Sequence, residues 1–350
     1  MRWPWLKARG SKNKLRLSLR CNGQLIAYVL SDPSLNQNLP CPLLRWGAIP
    51  LDAELDFEQA VDKALQSLNL SASEVIALLE PQEYQILKVD TPNVPNEELK
   101  AAARWQIKEL VEKHLDDLTL DVMHVGGDVP RVQRQLFVVA ARSRAVEQRS
   151  THCAAAGLPL QVVDTWETAL RNLQTLKAQS EGLQERACAA LLMMEDQCLL
   201  TISAGGELFY TRRLDQDPRL AARATGQLVV KPQQEAPLGF EYTPGADYLS
   251  AQDDSEESVL IIELQRSIDL WERSWPELPL ARLYLLSPEH GDAVAALMQR
   301  ELGLRTMAMG VPQLFSGIDE ASLQDPVRLR ELEACLPLLG AALRQESRAL

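Results

Sequence analysis

His152 and Cys153 are neighbours in the stretch QRSTHCAAAG, the combination from which a thiolate nucleophile and its base could be built. Adjacent residues on a helix point in different directions, however, and no acidic third member accompanies them. Asp116-Asp117 is a paired carboxylate, but it stands at a helix end beside a polar turn, where solvated acids are ordinary. The four histidines His114, His124, His152 and His290 lie far apart without metal-ligand spacing, and are read as surface or structural groups. Cys21, Cys41, Cys153, Cys188, Cys198 and Cys335 contain no Cys-x-x-Cys pair, so they read as reduced thiols rather than zinc ligands or a disulfide framework. Neither a GxxxxGK nor a GxGxxG loop is present. No catalytic or metal-binding set emerges.

The 350 residues suffice for two domains, each with its own core. A net charge of −12 argues against general nucleic-acid binding, which needs a basic face to neutralise phosphates. The charge is uneven: residues 1–20 hold seven basic side chains and no acidic one. Within the basic tail, residues 1–13, Trp3 and Trp5 beside Lys7 and Arg9 admit two readings, a seat on an anionic membrane surface or a frayed end. The opening MRWPWLKARGSKNK lacks the apolar core of a secretory signal, and no apolar run approaches the length of a membrane span.

The elements that would position a site follow from periodicity. Lys14–Arg20 and Leu25–Leu30 read as strands around Asn22-Gly23, with a third strand in PLLRWGAIPL. DFEQAVDKALQSLNL places Phe57, Ala60, Val61, Ala64 and Leu65 on one helical face, and EVIALLEP and EYQILKVDTP read as strands. PNEELKAAARWQIKELV predicts a helix over 96–111 with the stripe Leu99, Ala103, Ile107 and Leu110. LTLDVMHVGG and RVQRQLFVVAARS read as strands, Arg144–Ala156 as a helix stopped by Gly157, and LPLQVVDTWETALRNLQTLKA as a strand running into a helix. Residues 176–187 read as a connector, after which the pattern restarts with a hairpin around Gly205-Gly206. A polar insertion over 215–257 precedes an amphipathic helix with Leu260, Leu264, Ile268 and Trp271 buried. ARLYLLS is then a strand, DAVAALMQREL a helix and ACLPLLGAALRQE a last helix. The restart predicts a duplicated α/β architecture.

The passages NEELKAAARWQIKELVEKHLDDLTLDV, QRQLFVVAARSRAVEQRSTHCAAAGLPLQVVDTWETAL, ELQRSIDLWE and LPLLGAALR, in that order and spacing, resemble the PilM family of type IV pilus assembly proteins. The resemblance covers the chain apart from the first dozen residues and the 215–257 insertion. It implies an actin-like α/β fold of two ribonuclease-H-like halves. The first would span 14–175, with a small α/β subdomain inserted at about Leu87–Arg142, and the second 188–350. It also implies a cytoplasmic protein, peripheral on the inner membrane. The implied partner is a single-span PilN-like protein, whose short N-terminal cytoplasmic peptide is held in a groove between the insertion and the first domain. Contact with the pilus assembly platform or its assembly ATPase is a further expectation.

ATP-binding proteins of this fold place Asp-[apolar]-Gly at a strand end in each half, the glycine admitting backbone N–H groups to phosphate and the aspartate serving Mg²⁺. Counting back without gaps from LLTIS puts the second-half triplet on Leu192-Met193-Met194, and the first-half triplet falls near Ser18-Leu19-Arg20. Where relatives follow the adenosine-side strand with Gly-Gly, the strand ARLYLLS leads into Pro288-Glu289. Ser18, Arg20, Leu192, Met194, Pro288 and Glu289 are therefore degenerate phosphate positions, and neither ATP nor Mg²⁺ is expected as cofactor. For the partner groove, the walls are the 96–111 helix and the 132–140 strand, with Trp105, Gln106, Glu109, Phe137 and Val139 as candidate contacts. Two readings stand: a non-catalytic scaffold that binds the partner tail, and an actin-like ATPase whose nucleotide state controls that partner.

Overall fold

The computed structural model describes residues 15–36, 39–70, 72–127, 134–194, 196–226, 258–287 and 290–345. The basic tail, Pro288 and Glu289, and most of the 215–257 insertion lie outside them. The chain separates into two units: Met1–Gln184 with Ser203–Phe209 and Gly310–Leu350, and Glu185–Ile202 with Tyr210–Met309.

In the first unit, β1 (Arg16–Cys21), β2 (Leu25–Ser31) and β3 (Cys41–Pro50) form an antiparallel meander. β4 (Glu74–Leu78) lies parallel to β1, and β8 (Leu160–Asp164) parallel to β4. Period-2 alternation along β1 sends Leu17 and Leu19 to one face. There they share a core with Val61, Ala64 and Leu65 of α1 (Phe57–Ser67) and Cys153 of α3 (Ser143–Ala155). Arg16, Ser18 and Arg20 point to the other face, which α4 (Trp166–Ser180) and α9 (Pro326–Ala342) cover. The two helices approach so closely that a Cβ on Gly340 would stand 1.9 Å from the Ala169 carbonyl oxygen.

Between β4 and β8 the chain builds a separate three-stranded antiparallel sheet in the order β5 (Tyr84–Asp90), β7 (Gln135–Arg142), β6 (Leu118–His124). Helix α2 (Asn96–Gln106) lays Leu99 and Ala103 on Leu120, Val122, Leu136 and Val138, and Ile107 completes the same core. This helix is shorter than its sequence implies. Its last turn tightens into i→i+3 bonds, Lys108 N–H to Trp105 O and Leu110 N–H to Ile107 O, so the chain can turn into β6. Leu110 consequently leaves the stripe and is exposed.

The second sheet has the order β11 (Glu207–Asp215), β10 (Gln197–Ala204), β9 (Ala187–Met193), β12 (Leu280–Leu286), β13 (Thr306–Ala308). Apart from the inserted strands, each half thus runs third, second, first, fourth, fifth, and the first sheet gains only the two-residue β14 (Phe315–Ser316) beside β3. The repeated order makes both halves ribonuclease-H-like. Gly205 and Gly206 both adopt positive φ, 58° and 82°, as a two-residue hairpin turn between β10 and β11 requires. Helix α6 (Val259–Ser274) buries Leu260, Leu264, Ile268 and Trp271, and α7 (Gly291–Leu302) stops at Gly303. Among the described residues, no helix is long and apolar enough to cross a membrane.

Three expected boundaries are corrected. Helix α4 continues to Ser180 with Leu176 and Ala178 buried, which shortens the 176–187 connector to 181–186. The 215–257 insertion opens with the end of β11 and α5 (Leu220–Ala224). Residues from Gly310 onward join the first unit rather than the second, because α9 packs on α4 and on β1–β3; its apolar pattern does not say which sheet it will cover. Gly340→Ala should lower stability by about 1–3 kcal/mol through overpacking against Ala169. An unchanged urea midpoint would show that α4 and α9 separate without cost.

Candidate functional site

Two hydrogen-bond registers locate the strand-end triplets. In the first half Arg20 pairs with Leu78, the last residue of β4; in the second Leu192 pairs with Leu286, the last residue of β12. The hairpin bonds agree, Asn22 N–H reaching Leu25 O at 3.2 Å and Met194 N–H reaching Gln197 O at 2.9 Å. Arg20 therefore corresponds to Leu192 and Asn22 to Met194. By this correspondence the first-half counterpart of Leu192-Met193-Met194 is Arg20-Cys21-Asn22, two residues after the expected Ser18-Leu19-Arg20. Ser18 lies mid-strand between Val29 and Ile76 with no exposure, so it is not a strand-end residue. Leu192 is buried and Met194 half-buried.

Arg20 carries a positive charge to the end of the central strand. Its Nε and Nη2 donate to the two Glu80 oxygens at 3.0 Å each, Nη1 donates to Ala334 O at 3.3 Å, and the guanidinium lies 4.7 Å from the Trp166 ring centre. Both side chains of the pair are nearly enclosed, at 10% and 14% exposure. Next to them the Glu80 amide and Arg149 Nη2 both donate to Glu83 Oε2 at 2.7 Å, and Arg149 also donates to Cys21 O at 3.3 Å. Tyr84 Oη donates to Glu167 Oε2 at 2.5 Å and accepts from Trp166 N–H at 3.0 Å. Burial pushes the Cys21 thiol up to about 11, against the pull of Arg149, so this cysteine is neutral and unreactive near pH 7.

The candidate partner contacts do not converge. Trp105 is 71% exposed at the end of α2, with Gln106 and Glu109 exposed beside it. Phe137, a candidate contact, is buried and offers little surface to a partner. Because α2 packs on Leu136, Val138 and Ala140, alternation sends Phe137 and Val139 to the opposite face of the sheet. There Val139, Ile86, Val146 and Val163 form a half-buried aliphatic strip around buried Leu79, Tyr84, Ala141 and Ala145. Ile86, Val146 and Val163 escape sequence reading because β5, α3 and β8 supply one residue each. β8 edges its sheet, which leaves one side of that strand unpaired among the described residues.

The remaining candidates are structural. His152 is buried between α1 and α3, with Nδ1 2.9 Å from Asp62 Oδ1 and Nε2 3.3 Å from Glu58 Oε2. Cys153 joins Leu19, Ile26, Phe57 and Val61 in lining a mostly apolar crevice. Among the described residues, no three His, Cys, Asp or Glu side chains are placed to hold a metal ion.

No protein-family profile and no curated protein matches the chain. Among solved structures it is similar to the PilM–PilN type IV pilus biogenesis complex, at 19% identity and TM-score 0.63 over 94% of this chain and 99% of that one. The chain has an actin-like fold. A weaker likeness is to a Bacteroides thetaiotaomicron protein of actin-like ATPase fold and unknown function, at 9% identity and TM-score 0.46 over 92% of this chain and 96% of that one. A third is the cytoplasmic domain of EpsL, an inner-membrane component of the Vibrio cholerae type II secretion system, at 13% identity and TM-score 0.43 over 82% and 94%.

Removing one member of the Arg20–Glu80 pair leaves the other charged and buried. Glu80→Ala should therefore cost about 3–5 kcal/mol, and the double Arg20→Met/Glu80→Met variant much less, in equilibrium denaturation. Equal losses in the two would mean that packing, not charge, governs the site. Cys21 should react with iodoacetamide at pH 8 on the order of a hundredfold more slowly than an ordinary exposed thiol, measured by intact mass; labelling at the ordinary rate contradicts the raised pKa.

Proposed function

We propose that this chain is a PilM-like, non-catalytic cytoplasmic scaffold of type IV pilus assembly, nearest to MshI of mannose-sensitive haemagglutinin (MSHA) pili. It would sit peripherally on the inner face of the inner membrane. The carrying observation is the fold likeness to the PilM–PilN complex along almost the full length of both chains. In this reading the partner is a PilN-like single-span protein, and its short N-terminal cytoplasmic segment is the ligand. The aliphatic strip supports a place for that segment, since an extended apolar peptide can lie on Val139, Ile86, Val146 and Val163 beside an unpaired strand edge.

Nucleotide is not needed in this reading. The positions that would carry the metal-serving aspartates hold Arg20 and Leu192, and those that would need glycine hold Asn22 and Met194. A guanidinium can salt-bridge a phosphate, but Arg20 is already bound to both Glu80 oxygens and to Ala334 O. Methionine adds bulk where backbone would have to approach an anion. The chain thus reads as a pseudo-ATPase.

Titrating the purified protein with Mg-ATP by calorimetry, with a thermal-shift control, tests the nucleotide half of the proposal. Binding at a hundredfold excess over Kd would add about 2.7 kcal/mol of stability. The expected result is neither heat nor shift. Micromolar binding would replace the scaffold reading with that of a regulated ATPase. For the partner half, Val139→Asp should weaken binding of a synthetic PilN-like N-terminal peptide by about tenfold or more, whereas Trp105→Ala on the opposite face should change it by less than about threefold. The reverse order would move the site to α2.

A further inference from the structure

The inserted sheet is joined to the six-stranded sheet by two chain crossings. The inbound one runs from β4 through Leu79, Glu80 and the turn Pro81–Glu83 into Tyr84; the outbound one is Arg142–Ser143. The two are held very differently. On the inbound crossing, Leu79 N–H donates to Asp164 O of β8 at 3.0 Å, Glu80 is held by Arg20 of β1, Glu83 by Arg149 of α3, and Tyr84 by Glu167 and Trp166 of α4. Four elements thus grip four of the six residues from Leu79 to Tyr84, with ion pairs whose side chains are mostly enclosed. At the outbound crossing Arg142 is exposed, and Ser143 Oγ lies 3.0 Å from Thr119 Oγ1 at the surface.

The grip lies against the aliphatic strip. Ile86 follows Tyr84 by two residues, Val163 precedes Asp164, and Val146 stands one helical turn before Arg149 on α3. The Glu83–Arg149 bond also ties the inbound crossing to the helix that starts at the outbound one, so it spans the junction whose width the strip depends on.

We infer that Glu80, Glu83 and Tyr84 form a built-in latch that sets the width of the junction strip without any bound ligand, with Glu83 and Arg149 as its positioning residues. In an actin-like fold that relied on nucleotide, phosphate and metal would supply charge at these strand ends; here the chain supplies both signs itself. The link from latch to partner fit rests on the proposed function, whereas the latch itself does not.

Hydrogen exchange on the intact protein, read by mass spectrometry, separates a latch from a general brace. In Glu83→Gln/Arg149→Met, which leaves no unpaired charge, exchange over 84–90 and 135–142 should rise about tenfold or more while 16–21 and 74–78 stay within about twofold of wild type. No change, or an equal rise everywhere, would overturn the latch. Glu83→Gln alone retains an acceptor for the Glu80 amide but leaves the buried Arg149 without its counter-charge, so its rise should be at least as large and confined to the same segments, and whichever of the two variants folds decides the latch. Calorimetric titration of wild type and the loosened variant with the same tail peptide completes it. Equal affinities would overturn the role in setting width, and failure of wild type to bind at all would count against the proposed function while the exchange data still decide the latch.

Discussion

Two arginines on one face of the central strand bring positive charge into the first unit, and much of what surrounds them is arranged to receive it. Arg16 donates to both Glu74 oxygens and to the carbonyls of Ala342 and Arg344. Arg20 takes Glu80, Ala334 O and the face of Trp166. A buried charge without partners would cost several kcal/mol, so these contacts constrain where α4, α9 and the end of β4 can lie. The contact of Gly340 with the backbone at Ala169 follows from the same demand, because α9 must sit close enough for its carbonyls to reach both guanidiniums.

The inserted sheet then divides the unit's outer surface by face. One side is closed by α2 and its core, leaving Trp105 beyond it in solvent. The other meets α3 and β8 in a strip of half-buried aliphatic residues over a small buried cluster. Apolar side chains in such a strip retain area that a partner could still cover, whereas the fully enclosed Phe137 has almost none left to offer.

Much of the architecture was legible in the residues. The buried stripe of α6 falls where 3.6-residue periodicity puts it, that of α1 does so except for Phe57, which is exposed at the helix start, and the Gly205-Gly206 turn forms where a two-residue hairpin demands positive φ. The candidate site was less legible. Leu110 belongs to the helical pattern, yet the chain leaves the helix before reaching it, since a favourable local propensity yields to the tertiary need to enter β6. Phe137 and Val139 alternate correctly out of the α2 core, but whether their face is covered depends on elements far away in sequence.

Local chemistry written in the sequence determined most of the strands and helices and the restart between the two halves, because each depends on residues close together along the chain. Only the tertiary structure decided that the last helix returns to the first sheet, that Arg20 rather than Ser18 marks the strand end, and that Trp105 and Val139 occupy opposite faces. Those outcomes depend on register and on which surfaces meet. Glu80 lies sixty residues from the arginine it neutralises, and no pattern along the chain records that pairing.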